Sequence, residues 1–128
     1  MKDSSPTPDE KTRWAEERTD WAEDRTILAN ERTFAGWMRT GMASVAIAVG
    51  LRAIFGDAEL GYAPARLVAT LFIATAVVIF WTARRKSCET IARLSQHAAS
   101  PLPTKNVTLV TAFLSLGAVA TGVLLWLV

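Results

Sequence analysis

Apolar residues are gathered in three long blocks along the 128-residue chain, at about residues 34–55, 65–83 and 106–128. A helix needs roughly 20 predominantly apolar residues to cross the hydrocarbon layer of a bilayer, which is about 30 Å thick. The third block is uncharged from Val107 onward, and the second is uncharged between Arg66 and Arg84. The pattern therefore predicts an all-α, polytopic membrane protein with three transmembrane helices.

The first block differs from the others because it contains Arg39 and Arg52. The uncharged residues between them, 40–51, would extend only about 18 Å as a helix, which is too short to cross a bilayer alone. Either both arginines reach the two membrane interfaces, or one of them faces a hydrated interior.

The polar segment before the first block has the pattern of one long helix. Thr7 is followed by proline at position 8, and Glu10 can complete a capping box with Thr7. No glycine or proline interrupts residues 9–35, so the first transmembrane helix is predicted to begin at residue 8, with a long cytoplasmic N-terminal part. We expect residues 1–7 to be disordered and residues 8–128 to form a single membrane domain.

The positive charges indicate an orientation. Of the 14 lysine and arginine residues, only Arg52 and Arg66 flank the connection between the first two blocks. Seven of the others precede the first span or, as Arg39 does, lie in its first two turns, and five lie in the connection between the second and third spans. Basic segments remain on the cytoplasmic side. We therefore predict a cytoplasmic N terminus and a C terminus on the outer side. Arg84, Arg85 and Lys86 are expected to lie near anionic lipid headgroups.

A basic residue followed by threonine recurs every seven positions from Lys11 onward. A seven-residue step returns to nearly the same face of a helix, with a drift of roughly 20° per heptad. Three and four positions after the first three basic residues, on the same face, lie Trp14 with Ala15, Trp21 with Ala22, and Leu28 with Ala29, whereas the acids lie on the far side. This face is the one expected to meet other helices or a central cavity. We call its arginines the arginine column: Arg18, Arg25, Arg32 and Arg39.

Two interpretations of the arginine column remain open. It can line a hydrated space, or its members can pair with acids of neighbouring helices and stack on tryptophan rings. Ala46 with Gly50, and Ala118 with Gly122, have the small-residue spacing that lets membrane helices approach closely, without identifying the partner. Because three helices shield few arginines, we predict a homo-oligomer with its first helices around a shared axis.

Catalytic chemistry is not indicated by the sequence. Cys88 and His97 are the single cysteine and histidine, so no disulfide or metal quartet can form within one chain. No phosphate-binding glycine loop or nucleophile elbow is found. The nearly balanced charge of the N-terminal segment disfavours nucleic-acid binding. We predict no catalytic residue, no metal, no cofactor and no enzymatic activity.

Residues 28–40, with the string Asn30-Glu31-Arg32-Thr33-Phe34 and then Trp37, resemble the signature of a domain-of-unknown-function family of YidH-type bacterial inner-membrane proteins. That family is also similar to the small membrane subunit of the eukaryotic vacuolar transporter chaperone complex. The resemblance implies a multi-pass protein of the bacterial inner membrane with a periplasmic C terminus. It further implies a pentamer-like ring with the first helices around an axis, which carries polyphosphate in the eukaryotic relatives.

The resemblance also implies roles for individual residues. Arg32 and Arg25 match ring-forming basic positions, Glu31 would be their acidic partner, and the motif residues at the interface are Asn30, Thr33, Phe34 and Trp37. Gly36 departs from the pattern, since a bulky residue is usual there. The polymerising and phosphate-sensing domains of the eukaryotic complex are not found in the sequence, so polyphosphate synthesis is not implied.

The favoured hypothesis is an oligomeric inner-membrane protein whose arginine column lines a basic axial vestibule. This vestibule would bind or conduct an anion or polyanion, such as phosphate or polyphosphate, with Asp24 and Glu31 moderating its charge. Arg52 either continues the path or anchors the helix at the interface. The alternative is a non-transporting assembly, adaptor or regulatory membrane subunit. The partners expected are further copies of the chain, membrane lipids and an inorganic anion.

Overall fold

Three α-helices make up the structure, a computed structural model that describes residues 5–55, 62–95 and 104–127. They are α1 (Pro8–Phe55), α2 (Tyr62–Ser95) and α3 (Lys105–Leu127). Each is long and apolar enough to cross a membrane. The predicted all-helical class and the three helices able to span a bilayer are therefore confirmed. Which side of the membrane holds the N terminus stays a prediction.

The predicted capping box begins α1. The backbone N–H of Thr7 donates to Glu10 Oε2 at 2.8 Å, and the backbone N–H of Glu10 donates to Thr7 Oγ1 at 3.3 Å. Two of the backbone donors that a helix start leaves without an intrahelical partner are thus satisfied. The helix then continues for 48 residues, about 72 Å, which is more than twice the thickness of the hydrocarbon layer.

The middle helix, α2, packs against both of the others, whereas α1 and α3 touch only slightly. At the α1–α2 contact, Gly41 lies directly against the ring of Phe80, which is 1% exposed. A Cβ atom at position 41 would overlap that ring. The absence of a side chain there brings the backbone of α1 close to α2. The buried hydrophobic residues around this contact are Met38, Ala48, Ala69, Ile73, Ala76, Phe80, Ala83 and Ala118.

The two small-residue pairs are used differently. Ala118 is buried in the core, and a Cβ atom on Gly122 would lie 3.3 Å from Ile73 Cγ2, so this pair packs α3 against α2 within the chain. Ala46 is exposed, and a Cβ atom on Gly50 would meet nothing within 4 Å. Ala46 and Gly50 thus do not form a close helix contact within the described part of the chain and remain available for a contact outside it.

The C-terminal end of α3 is fastened to both other helices. Arg52 Nη1 donates to the carbonyl oxygen of Leu125 at 2.7 Å, and Trp126 Nε1 donates to Thr70 Oγ1 at 3.1 Å. The guanidinium of Arg66 lies 5.8 Å from the centroid of the Trp126 ring. Carbonyl groups in the last turn of a helix have no intrahelical partner, so Arg52 satisfies one of them. Arg52 thus joins α1 to α3 within the chain, and its roles as an anchor at the membrane interface or as part of an anion path stay predictions.

Candidate functional site

Helix α1 has one covered face and one uncovered face. The covered face carries buried and half-buried residues three or four positions apart, and these pack towards α2: Ile27, Asn30, Phe34, Met38, Gly41, Ser44 and Ala48. Such spacing keeps side chains on a single side of a helix. The opposite side of α1 meets no other helix in the described part of the chain.

All four members of the arginine column are exposed and lie on the uncovered face. Arg39 is two residues before Gly41, which at about 100° per residue places the two roughly 160° apart around the helix. Since Gly41 lies against Phe80 of α2, Arg39 points away from α2. Arg32 and Arg25 stand in the same relation to Phe34 and Ile27, which are half-buried. From Arg18 to Arg39 the column extends about 30 Å.

The threonines that follow the basic residues are satisfied within the helix. Each donates its hydroxyl hydrogen to the carbonyl oxygen four residues earlier, at 2.9 to 3.1 Å, in Thr12, Thr19, Thr26, Thr33 and Thr40. Hydroxyl groups at helical positions commonly make this bond. Among the described residues, the guanidinium groups of the column therefore remain available as donors, and the threonines only flank them.

A second column, made of small residues, runs beside the arginines. It recurs every seven positions along α1 and we call it the small-residue column: Ala15, Ala22, Ala29, Gly36, Ala43 and Gly50. The first five are exposed, and a Cβ atom at Gly36 would meet nothing within 4 Å. The heptad signal was visible in the sequence at the alanines, but its continuation through the apolar part of α1 was missed. The small side chains allow another helix to approach the arginine column closely.

The part of α1 at residues 8–22, here called the N-terminal extension, is exposed throughout. Trp14 and Trp21 are 51% and 70% exposed, and they alternate with Arg18 and Arg25 along a groove of about 500 Å³. Large aromatic side chains are rarely left on a polar helix surface without a partner, because burying them is favourable. The groove is thus a candidate contact surface.

The motif residues lie mainly at the contact between α1 and α2 of one chain. Asn30 Nδ2 donates to the hydroxyl of Ser87 at 3.0 Å, and Ser87 is 2% exposed. Phe34 packs against the buried core, and the Lys86 ammonium lies 5.4 Å from the centroid of a Trp37 ring. Thr33 is exposed and bonds within its own helix. Three of the four motif residues therefore hold the subunit together.

The two predicted charge partners are not paired with the column inside the chain. Asp24 and Glu31 are exposed, and no ion pair joins either of them to the arginine column among the described residues. Glu31 instead lines a groove with residues of α2 and α3.

Metal-binding chemistry is not evident in the residues that the structure describes. No three His, Cys, Asp or Glu side chains there are grouped so that they could hold a metal ion. His97 lies outside the described residues. The predicted lack of catalytic residues, cofactors and nucleic-acid partners stays a prediction.

Comparison with known families gives one match. The family model described as "Domain of unknown function (DUF202)" matches residues 25–93. The matched region begins at Arg25, includes the remainder of the arginine column, and extends almost to the end of α2. No curated protein and no solved structure matches the chain.

Proposed function

The chain belongs to the DUF202 family, and we propose that it is an oligomeric membrane protein whose first helices surround a basic vestibule for an anion. Membership of this family confirms the YidH-type resemblance of residues 28–40. The similarity to the vacuolar transporter chaperone subunit stays a prediction, as do the bacterial inner membrane, the cytoplasmic N terminus and the pentamer-like ring. In this proposal the vestibule binds or conducts phosphate or a polyphosphate-like chain.

One observation carries the proposal: the arginine column is exposed on the face of α1 that α2 and α3 leave uncovered, and it continues to Arg39 in the apolar part of the helix. A charged side chain within a membrane helix costs up to about 3 kcal/mol on insertion scales, with the largest cost at the centre, so such residues favour contact with protein or water. Further copies of α1 around an enclosed, hydrated axis would provide both protein contacts and water for Arg39.

The small-residue column supports contact between copies. Backbones can approach where the side chains are only alanine or glycine, as at Gly36 and Ala43. In a ring with rotational symmetry, equal-numbered residues lie at the same height. Each arginine of the column would then form one ring of guanidinium groups, with the next ring about 10 Å further along the axis.

Guanidinium rings suit phosphate chemistry. Each group carries a positive charge and offers a planar set of N–H donors that matches two oxygens of a phosphate. Successive rings at Arg25, Arg32 and Arg39 would give several weak sites, and weak sites in series allow an ion to enter and to leave. Asp24 and Glu31 would moderate the positive potential from the sides.

A second candidate is a non-transporting assembly, adaptor or regulatory subunit. The specific observation that favours it is the groove at Trp14 and Trp21, since exposed tryptophans beside arginines are typical of protein contact sites. A partner helix could bind there, and its acids could pair with Arg18 and Arg25. The fold is the same in both proposals.

The proposal is tested by reconstitution of the purified chain in proteoliposomes. Phosphate flux, polyphosphate flux and the mass of the oligomer are measured on the same preparation. Arg32→Glu should abolish flux and leave the oligomer intact. Arg13→Glu is the matched control, because Arg13 is an exposed arginine of α1 outside the column. The adaptor function would stand instead if Arg32→Glu dissociated the complex, or if the wild-type chain transported neither anion.

A further inference from the structure

A groove of about 410 Å³ lies between all three helices near the start of α3. Its walls are largely apolar and come from Ile27 and Phe34 of α1, Ile91 of α2, and Val107 and Val110 of α3. The volume is within the range of ligand pockets, which is about 300–1,000 Å³. The groove is separate from the arginine column, because Phe34 lies on the covered face of α1.

The polar groups of the groove are the Glu31 carboxylate, the amides of Asn30 and Asn106, and the hydroxyl of Ser87. Glu31 is the single ionisable residue of its described lining, and it contributes a carboxylate. Asn30 donates its amide N–H to Ser87, so its own carbonyl oxygen remains able to accept a hydrogen bond. A carboxylate and a nearby amide oxygen favour a ligand that carries a positive charge and N–H donors.

The groove lies beside the exposed apolar surface of α3, which would face lipid in a membrane. Val107 and Val110 are in the first two turns of α3, where its apolar stretch begins, and Val110 is 44% exposed. Phe113, one turn further, is 70% exposed, so an apolar surface continues from the groove along α3. Lys105, at the first position of α3, is exposed and directly precedes Asn106 of the groove lining. The N-terminal turn of a helix also favours negative charge.

We propose that this three-helix groove binds a phospholipid with a primary-amine headgroup, such as phosphatidylethanolamine. The ammonium group lies at Glu31 and the amide oxygen of Asn30. The phosphate lies towards Lys105 and the first turn of α3, and an acyl chain follows Val110 towards Phe113. The site needs only one copy of the chain, so it does not rest on the proposed vestibule.

The test uses the full chain in detergent, incubated with equal amounts of phosphatidylethanolamine, phosphatidylglycerol and phosphatidylcholine that have identical acyl chains. Native mass spectrometry then measures the lipid retained. Phosphatidylcholine is the matched control for phosphatidylethanolamine, because its quaternary ammonium is also positively charged but has no N–H donor. Retention of phosphatidylethanolamine should exceed that of the other two by about three- to fivefold, the size of one charge-assisted hydrogen bond to a partly exposed carboxylate.

Three variants separate the groove from other sites. In Glu31→Gln the ratio of retained phosphatidylethanolamine to either other lipid should fall close to one. Glu16→Gln, at an exposed acid of the N-terminal extension, should leave this ratio unchanged. Val110→Trp should fill the groove and lower retention of every headgroup. Circular dichroism and the unfolding midpoint show that each variant remains folded.

The proposal is overturned by equal retention of the three lipids, by a preference for phosphatidylglycerol, by a preference that survives Glu31→Gln, or by no retained lipid. Val110→Trp also distinguishes this site from the vestibule. If the groove is the lipid site, this variant loses phosphatidylethanolamine and keeps any anion flux that the wild-type chain shows. Loss of flux in the column variants, by contrast, leaves lipid retention unaffected.

Discussion

Gly41 of α1 lies directly against the buried ring of Phe80 of α2, and this contact determines which face of α1 stays uncovered. Because the ring occupies the space of a Cβ atom, α1 can pack on α2 only with residue 41 towards it. Arg39, two residues earlier, is then turned to the opposite side. The position of the arginine column thus follows from Gly41, which has no side chain and so contributes neither a charge nor a side-chain hydrogen bond.

Substitution of Gly41 should destabilise the subunit. In Gly41→Ala the new methyl group overlaps the Phe80 ring, and overpacking of a buried site typically costs about 1–3 kcal/mol. We expect a lower unfolding midpoint in detergent, measured by circular dichroism. Gly36→Ala is the matched control, since its methyl group meets nothing within 4 Å and should leave the midpoint unchanged or raise it slightly, because alanine favours a helix over glycine. Equal stability of Gly41→Ala and the wild type would contradict the packing described here.

Enlargement of the small-residue column should affect assembly and not folding. Ala43→Leu places a bulky side chain on the exposed face beside Arg39, so copies of α1 can no longer approach closely. Native mass spectrometry should show a smaller assembly with an unchanged unfolding midpoint. Ala74→Leu, at an exposed alanine of α2, serves as the control and should keep the assembly intact. An Ala43→Leu chain with the wild-type mass would argue against contact between copies at this column.

Arg52 is expected to stabilise the C-terminal end of α3. Arg52→Ala removes the hydrogen bond to the Leu125 carbonyl, which is worth about 1–2 kcal/mol for a charged donor that is partly exposed. Hydrogen exchange should become faster in the last turn of α3. Arg85→Ala, an exposed arginine of α2, should not change that exchange. Unaltered exchange in Arg52→Ala, with reduced anion flux, would support the pathway interpretation of Arg52.

Asn30 and Ser87 should behave as a coupled pair. Asn30→Ala leaves the buried Ser87 hydroxyl without this donor, which we expect to cost about 1–2 kcal/mol of unfolding free energy. The double variant Asn30→Ala with Ser87→Ala should lose less than the sum of the two single changes, because removal of both partners leaves no unsatisfied group. A double-mutant cycle on the unfolding free energy measures this difference. Strict additivity would mean that the two side chains do not interact.

Local features of this fold could be predicted from the sequence. The capping box of Thr7 and Glu10, and the uninterrupted helix after it, depend on residues within a few positions of each other. Such short-range patterns can be predicted because the interacting residues belong to the same helix and are close in sequence. The heptad repeat likewise placed the four arginines on one face.

Long-range relationships could not be predicted in the same way. A heptad repeat fixes which residues share a face but not which face meets α2, and that choice depends on Phe80, far away along the chain. The carbonyl acceptor of Arg52 belongs to α3, and the three-helix groove combines residues of all three helices. A helical wheel of one helix does not show which residues of another helix it contacts.

The measurement that most directly tests the central claim is cysteine accessibility along the column, in a Cys88→Ser background. Arg32→Cys and Arg39→Cys are introduced one at a time, with Phe113→Cys on the exposed apolar surface of α3 as the control. If the column faces a shared hydrated axis, a charged methanethiosulfonate reagent modifies both column cysteines in membranes, and oxidation links neighbouring copies. An Arg39→Cys chain that stays as unreactive as Phe113→Cys, without cross-links, would contradict the account.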